Sequence, residues 1–150
     1  MGRGLLLVAA GLILSGCASS GPTGQETLAA SVAPKKARLV MYRTNPLGMA
    51  IQPSYTVDGK PVGQTTPNGF VVCHLAPGPH RVSIDNMPVN VNLFGGSDKT
   101  SLTLRPGQTA YLRADVQPGL TVGVITLTSV TEDQGRADVA DLHKLDSTCS

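Results

Sequence analysis

From residue 37 onward, apolar and polar positions alternate in short runs broken by Pro, Gly, Asn and Asp. Arg38-Leu39-Val40-Met41-Tyr42-Arg43, ended by Thr44-Asn45-Pro46, predicts a strand. Ser54-Tyr55-Thr56-Val57 and Lys60-Pro61-Val62-Gly63 flank Asp58-Gly59. Asp-Gly between apolar runs predicts a tight hairpin, because glycine takes a positive φ without steric cost. Pro61 assigns the second strand to a sheet edge. Phe70–Leu75 and His80–Asp85 flank Ala76-Pro77-Gly78-Pro79. Read as a hairpin, this puts Leu75 opposite His80, Cys73 opposite Val82 and Val71 opposite Ile84. The apolar set then shares one face, and a one-residue slip would turn it into water. Val89, Val91 and Leu93 alternate with Asn90 and Asn92, and Leu102 and Leu104 with Ser101 and Thr103. Ala110, Leu112, Ala114 and Val116 alternate with Tyr111, Arg113 and Asp115. Between Leu120 and Val130 the period slips, which predicts a bulge near Gly123. Thr131-Glu132-Asp133-Gln134 has capping-box spacing, and Val139, Leu142 and Leu145 make an apolar stripe behind it. Together they predict a short C-terminal helix, with Gly135 as its weak point. The fold class expected is mainly β: a single antiparallel β-sandwich of about seven to nine short strands in Greek-key fashion, closed by one short helix.

The first residues break this pattern. Met1-Gly2-Arg3-Gly4 carries one positive charge, and Leu5–Leu14 is an apolar run. Ten helical residues reach about 15 Å, half of a ~30 Å hydrocarbon core. An export signal is therefore expected over residues 1–16, and a membrane span is not. Leu14-Ser15-Gly16-Cys17 resembles a bacterial lipobox, in which the cysteine sulfur takes a diacylglycerol and becomes the first mature residue. The competing reading is ordinary cleavage after Ala18. Two or more acyl chains hold a protein stably where one does not, so the resemblance implies a membrane anchor at Cys17. Ala18 is not the Asp that often marks inner-membrane retention, so the expected site is the periplasmic face of the outer membrane in a two-membrane cell. Ala18–Lys36 is rich in Ser, Gly, Ala, Thr and Pro without apolar period and reads as a flexible tether, with a mean span of ~25 Å. The expected organisation is signal 1–16, lipidated tether 17–36, β-domain 37–146 and tail 147–150.

Composition narrows the function classes. The chain has 12 Lys+Arg against 10 Asp+Glu, and losing Arg3 with the signal leaves 11 against 10. Aromatics are 3% with no Trp. Stacking platforms for nucleic acid need aromatics beside basic residues, so no nucleic-acid partner is expected, and a glycan-binding face is weakened. With Cys17 acylated, Cys73 and Cys149 remain in an oxidising compartment. Either they pair and pin the tail to the sheet, or Cys73 is a buried free thiol and Cys149 rides a frayed end.

Enzyme motifs are missing: no Gly-x-Ser-x-Gly elbow, phosphate loop or His-Glu-x-x-His. Cys73 and His74 are adjacent, but strand neighbours project to opposite faces. His74, His80 and His143 lack metal-ligand spacing, so no catalytic residue, metal or cofactor is expected. His80, beside Pro79, reads as a shield at the core edge, and Asp58 as a turn residue. The apolar loop carrying Leu47, Met49 and Ile51 has two readings. It presents a partner-contact surface on a rigid scaffold, or, more commonly, it tucks in and plugs one end of the sandwich.

The segments Ala37–Arg43, Val57–Gly63, Leu75–Val82 and Gly107–Leu112 together resemble an uncharacterised family of bacterial lipoprotein domains of unknown function. The Leu75–Val82 hairpin is also similar to the PEGA repeat, with Pro79 departing from its acidic position. The resemblance spans Ala37–Leu145, implies a PEGA-like β-sandwich behind a lipobox, and transfers no active site. The function expected is a lipid-anchored, non-catalytic envelope protein that binds another envelope component. The alternative is a lipoprotein binding a small ligand or glycan in a cleft at one end of the sandwich.

Overall fold

A computed structural model describes residues 21–86, 95–118 and 123–149. Among them, nine strands form two sheets: β1 (Ala37–Arg43), β2 (Ser54–Val57), β3 (Lys60–Gln64), β4 (Gly69–Leu75), β5 (Gly78–Ile84), β6 (Lys99–Leu104), β7 (Thr109–Gln117), β8 (Val124–Val130) and β9 (His143–Lys144). The five-stranded sheet has the order β8-β7-β1-β4-β9, and the four-stranded sheet β3-β2-β5-β6. Two helices complete the fold, α1 (Gly24–Leu28) and α2 (Glu132–Val139).

The alternation read along the chain sorts residues between two cores. Leu39, Met41, Val71, Cys73, Leu112 and Ala114 from the larger sheet meet Tyr55, Val57, Val62, Val82, Ile84 and Leu104 from the smaller. On the outer face of the larger sheet, Val40, Tyr42, Phe70, Val72 and Tyr111 pack with Leu28, Val139 and Leu142. The central strand β1 is covered on both faces, which is why all seven of its residues are buried.

Asp58-Gly59 forms the expected turn, with φ of 49° and 80°, and β3, the Pro61 strand, is an edge. Phe70–Leu75 and His80–Asp85 are not a hairpin. β4 pairs with β1 and β5 with β2 and β6, so the chain crosses between sheets at Ala76–Pro77. The inward residues Val71, Cys73, Val82 and Ile84 are those expected, because a strand's alternation names its buried face and not its neighbour. Two pairs are parallel, β1 with β7 and β4 with β9, where antiparallel pairing was expected. β7 enters after β5 and β6 have been added to the smaller sheet and β9 after α2, and such long connections permit parallel entry.

The β7–β8 register runs unbroken from Tyr111↔Val130 to Gln117↔Val124, and a register shift lies between Tyr55 and Thr56; the bulge expected near Gly123 rests on residues 119–122, outside the described ones. Leu120, Val122 and the run Val89–Leu93 lie outside the described residues. Thr131 caps α2 as expected, its Oγ1 accepting from Gln134 N at 3.3 Å. The helix stops at Val139, and Leu145 packs in the inter-sheet core. Gly135 is needed there, since a Cβ would stand 2.2 Å from the Tyr111 ring.

The expected flexible tether is corrected from Gly21 to Leu28. Thr23 and Glu26 form a reciprocal capping box on α1, and Leu28 enters the outer core. The Arg38 guanidinium reaches back to the carbonyls of Leu28 and Ala30 and holds the helix end. The four tail residues also begin in order. Leu145 N bonds Phe70 O at 2.8 Å in one sheet and Thr148 N bonds Val62 O at 3.0 Å in the other, so the tail closes the gap between them. At the opposite side, Asn86 brackets Ile125 and Ser97 O accepts from Leu127 N, shielding the β8 edge.

Candidate functional site

Arg43 ends β1 on the inward side, beneath the apolar loop, and is fully buried. Its Nη1 donates to Ile51 O at 2.7 Å and Thr65 O at 3.0 Å, Nη2 to Gly48 O at 3.0 Å and to Leu47 O, and Nε to Asn45 O at 3.2 Å. All five acceptors are neutral carbonyls. Burial pulls the guanidinium below its ordinary pKa, yet arginine keeps its charge in proteins. A planar fork with five N–H groups matches this set where a lysine ammonium would not.

The clamp fixes the loop from within, and local bonds fix it from without. Asn45 Oδ1 accepts from Leu47 N at 2.9 Å, Ile51 N bonds Gly48 O at 2.8 Å, and Gln52 Nε2 donates to Met49 O at 2.8 Å. Gly48 takes φ 67°, a conformation that a side chain would strain. The two readings of this loop divide between its residues. Ile51 packs into the inter-sheet core, whereas Leu47 and Met49 are each 66% exposed. They are the exposed large hydrophobics of the described residues.

The remaining candidates separate. Cys73 and Cys149 are bonded, pinning the tail to β4. His74, next to Cys73, points to the outer face and is exposed, so thiol–imidazole chemistry has no geometry. His80 is tied to Asp58: Nδ1 lies 2.6 Å from Asp58 Oδ2 and Nε2 2.8 Å from Ala76 O. Both partners are acceptors, so both contacts are hydrogen bonds only in the imidazolium form. Burial opposes that charge, but the bonds to Ala76 and Asp58 outweigh it and raise the pKa. Asp58 is lowered, first by the Arg81 backbone N–H and then by His80. Among the described residues, no three His, Cys, Asp or Glu side chains group as metal ligands, and no helix is long and apolar enough to cross a membrane. Open grooves run between α1 and α2, about 380 Å³, and beside Asp58, His80 and Arg81, about 580 Å³.

Neither the Arg43 clamp, the His80–Asp58 pair nor α1 was foreseen. For α1 a signal existed, since Thr23-Gly24-Gln25-Glu26 has capping-box spacing. Arg43 and His80 have no such signal, because their partners come from other elements.

Residues 33–126 match the family model described as "Protein of unknown function (DUF2846)". The chain belongs to the DUF2846 family. It is also 25% identical over 142 residues to an uncharacterized protein of Haemophilus influenzae (strain ATCC 51907 / DSM 11121 / KW20 / Rd), covering 91% of this chain and 80% of that one. No solved structure matches the chain.

Proposed function

We propose that this DUF2846 protein is a lipid-anchored envelope lipoprotein, attached through Cys17, whose non-catalytic sandwich holds another envelope protein by the Leu47–Met49 loop tip. In a two-membrane cell its place is the periplasmic face of the outer membrane. The observation that carries the reading is the Arg43 clamp. Four hydrogen bonds from one buried guanidinium hold a loop whose two large apolar side chains are exposed to water, and a fifth ties the same group to Thr65. Exposing Leu and Met on a prefixed backbone costs solvation but spares a partner the entropy of ordering the loop. The lipobox-like Leu14–Cys17 supports the anchor.

The test is a photo-crosslinking residue in place of Met49 in intact cells, with Lys99, exposed on the smaller sheet, as reference position. A discrete adduct at 49, lost on Leu47→Asp and missing at 99, is the expected result. Equal labelling at both positions defeats the docking role. Mass spectrometry of the mature N-terminus tests the anchor separately, and an unmodified Cys17 defeats it.

A further inference from the structure

The folded body starts closer to the anchor than the composition suggested. Gly21–Gly24 runs antiparallel to β9: Gly21 O takes His143 Nδ1 at 2.9 Å, Lys144 N bonds Pro22 O at 2.9 Å, and Gly24 N bonds Leu142 O at 3.0 Å. From Cys17 to Gly21 there are four backbone steps, at most about 14 Å when fully extended. That is little more than the ~10 Å spacing of two packed sheets. A leash so short keeps the domain within reach of the surface that holds it.

The chemistry on that side fits such a surface. Lys144, exposed and paired with Phe70, stands beside Gly21, and the exposed His74, Lys36 and Lys35 follow along the β1–β4 pair toward the start of β1. Arg38, paired with His74 across β1 and β4 and hydrogen-bonded to carbonyls, adds a positive charge beneath them, with Glu132 of α2 as its acidic neighbour. His74 is held below its ordinary pKa, first by burial and then by Arg38, Lys144 and Lys36, so the local field is positive. The nearby acids are Glu26, hydrogen-bonded to Thr23, Asp141 before β9 and Asp146 after it; Glu132, Asp133 and Asp138 are carried by α2, which packs on the same face toward β7.

We propose that the β4–β9 side of the larger sheet's outer face lies against an anionic lipid surface, with Lys35, Lys36 and Lys144 meeting headgroup phosphates. This rests on acylation of Cys17. The Leu47–Met49 tip is clamped by Arg43, which faces inward with Leu39 and Met41 rather than onto this outer face, and so stays free for a partner.

The test uses the full acylated protein in phosphatidylcholine vesicles with and without phosphatidylglycerol. A nitroxide is placed through Ser31→Cys, beside the lysines, or Ser101→Cys, on the smaller sheet. Accessibility to an aqueous nickel chelate is read at each. The expected result is that phosphatidylglycerol shields position 31 and leaves 101 open. Combined Lys35→Glu, Lys36→Glu and Lys144→Glu should restore access at 31, since each lysine lost lowers occupancy of the lying state about fivefold. Equal access at 31 and 101 with phosphatidylglycerol overturns the inference. Mass spectrometry of the same sample separates the causes. An acylated Cys17 with an open position 31 removes only the surface contact, whereas an unmodified Cys17 removes the anchor and the contact together.

Discussion

Replacing Arg43 by Met keeps most of the aliphatic stem and deletes the fork. Five carbonyls lose the guanidinium, and Gly48 O keeps a backbone donor, Ile51 N. Those of Asn45, Leu47 and Gly48 belong to the loop and can turn to water. Those of Ile51 and Thr65 are held further in, and Thr65 is wholly buried. An orphaned buried acceptor costs about 1–3 kcal/mol, so two cost about 2–6. Removing the desolvated guanidinium returns part of that, and a net loss of about 3 kcal/mol is expected. Urea unfolding of the oxidised protein measures it, and hydrogen exchange should quicken over residues 44–51. Arg43→Lys should recover less than half, because an ammonium has three donors and no planar fork. A loss under about 0.5 kcal/mol for Arg43→Met, with unchanged exchange in the loop, would refute the clamp and the presentation of Leu47 and Met49 built on it.

The His80–Asp58 contact predicts a pH dependence. A raised histidine pKa adds stability that is complete below the ordinary value of 6.5 and fades as pH rises through the folded value; the lowered Asp58 adds stability that fades as pH falls below 3.8. Urea midpoints of wild type and His80→Gln should therefore converge as pH climbs past neutrality, and a constant gap would contradict it. Gly135→Ala pits helix propensity, a gain of about 1 kcal/mol, against a Cβ placed 2.2 Å from the Tyr111 ring. Sterics should win, and thermal melting should show a net loss of about 2 kcal/mol. Cys149→Ser opens a cross-link between residues 76 apart; chain entropy puts the loss at about 4.5 kcal/mol, readable as a lower urea midpoint.

Binary pattern reported faces well and partners poorly. Val71, Cys73, Val82 and Ile84 point inward as expected, yet from opposing sheets. A hairpin and a sheet-to-sheet crossing bury the same alternate residues, so periodicity cannot separate them. The apolar loop shows the same limit. Ile51 as plug and Leu47 and Met49 as exposed tip have equivalent hydropathy, and only the position of Arg43 beneath them sorts one from the others.

Local chemistry was enough for the Asp58-Gly59 turn, the Pro61 edge, the Thr131 cap and the alternating strands, because each is decided by φ, a missing N–H or a side chain bonding its own backbone. Tertiary packing decided the rest. The five residues of α1 are too few to be a helix alone and hold because Leu28 meets the outer core and Arg38 grips the last carbonyls. Parallel entry of β7, the grip of Arg43 on Thr65, the pairing of His80 with Asp58 and the tail's closure of two sheets all join residues distant in the chain. Their energies exist only once both partners are brought together.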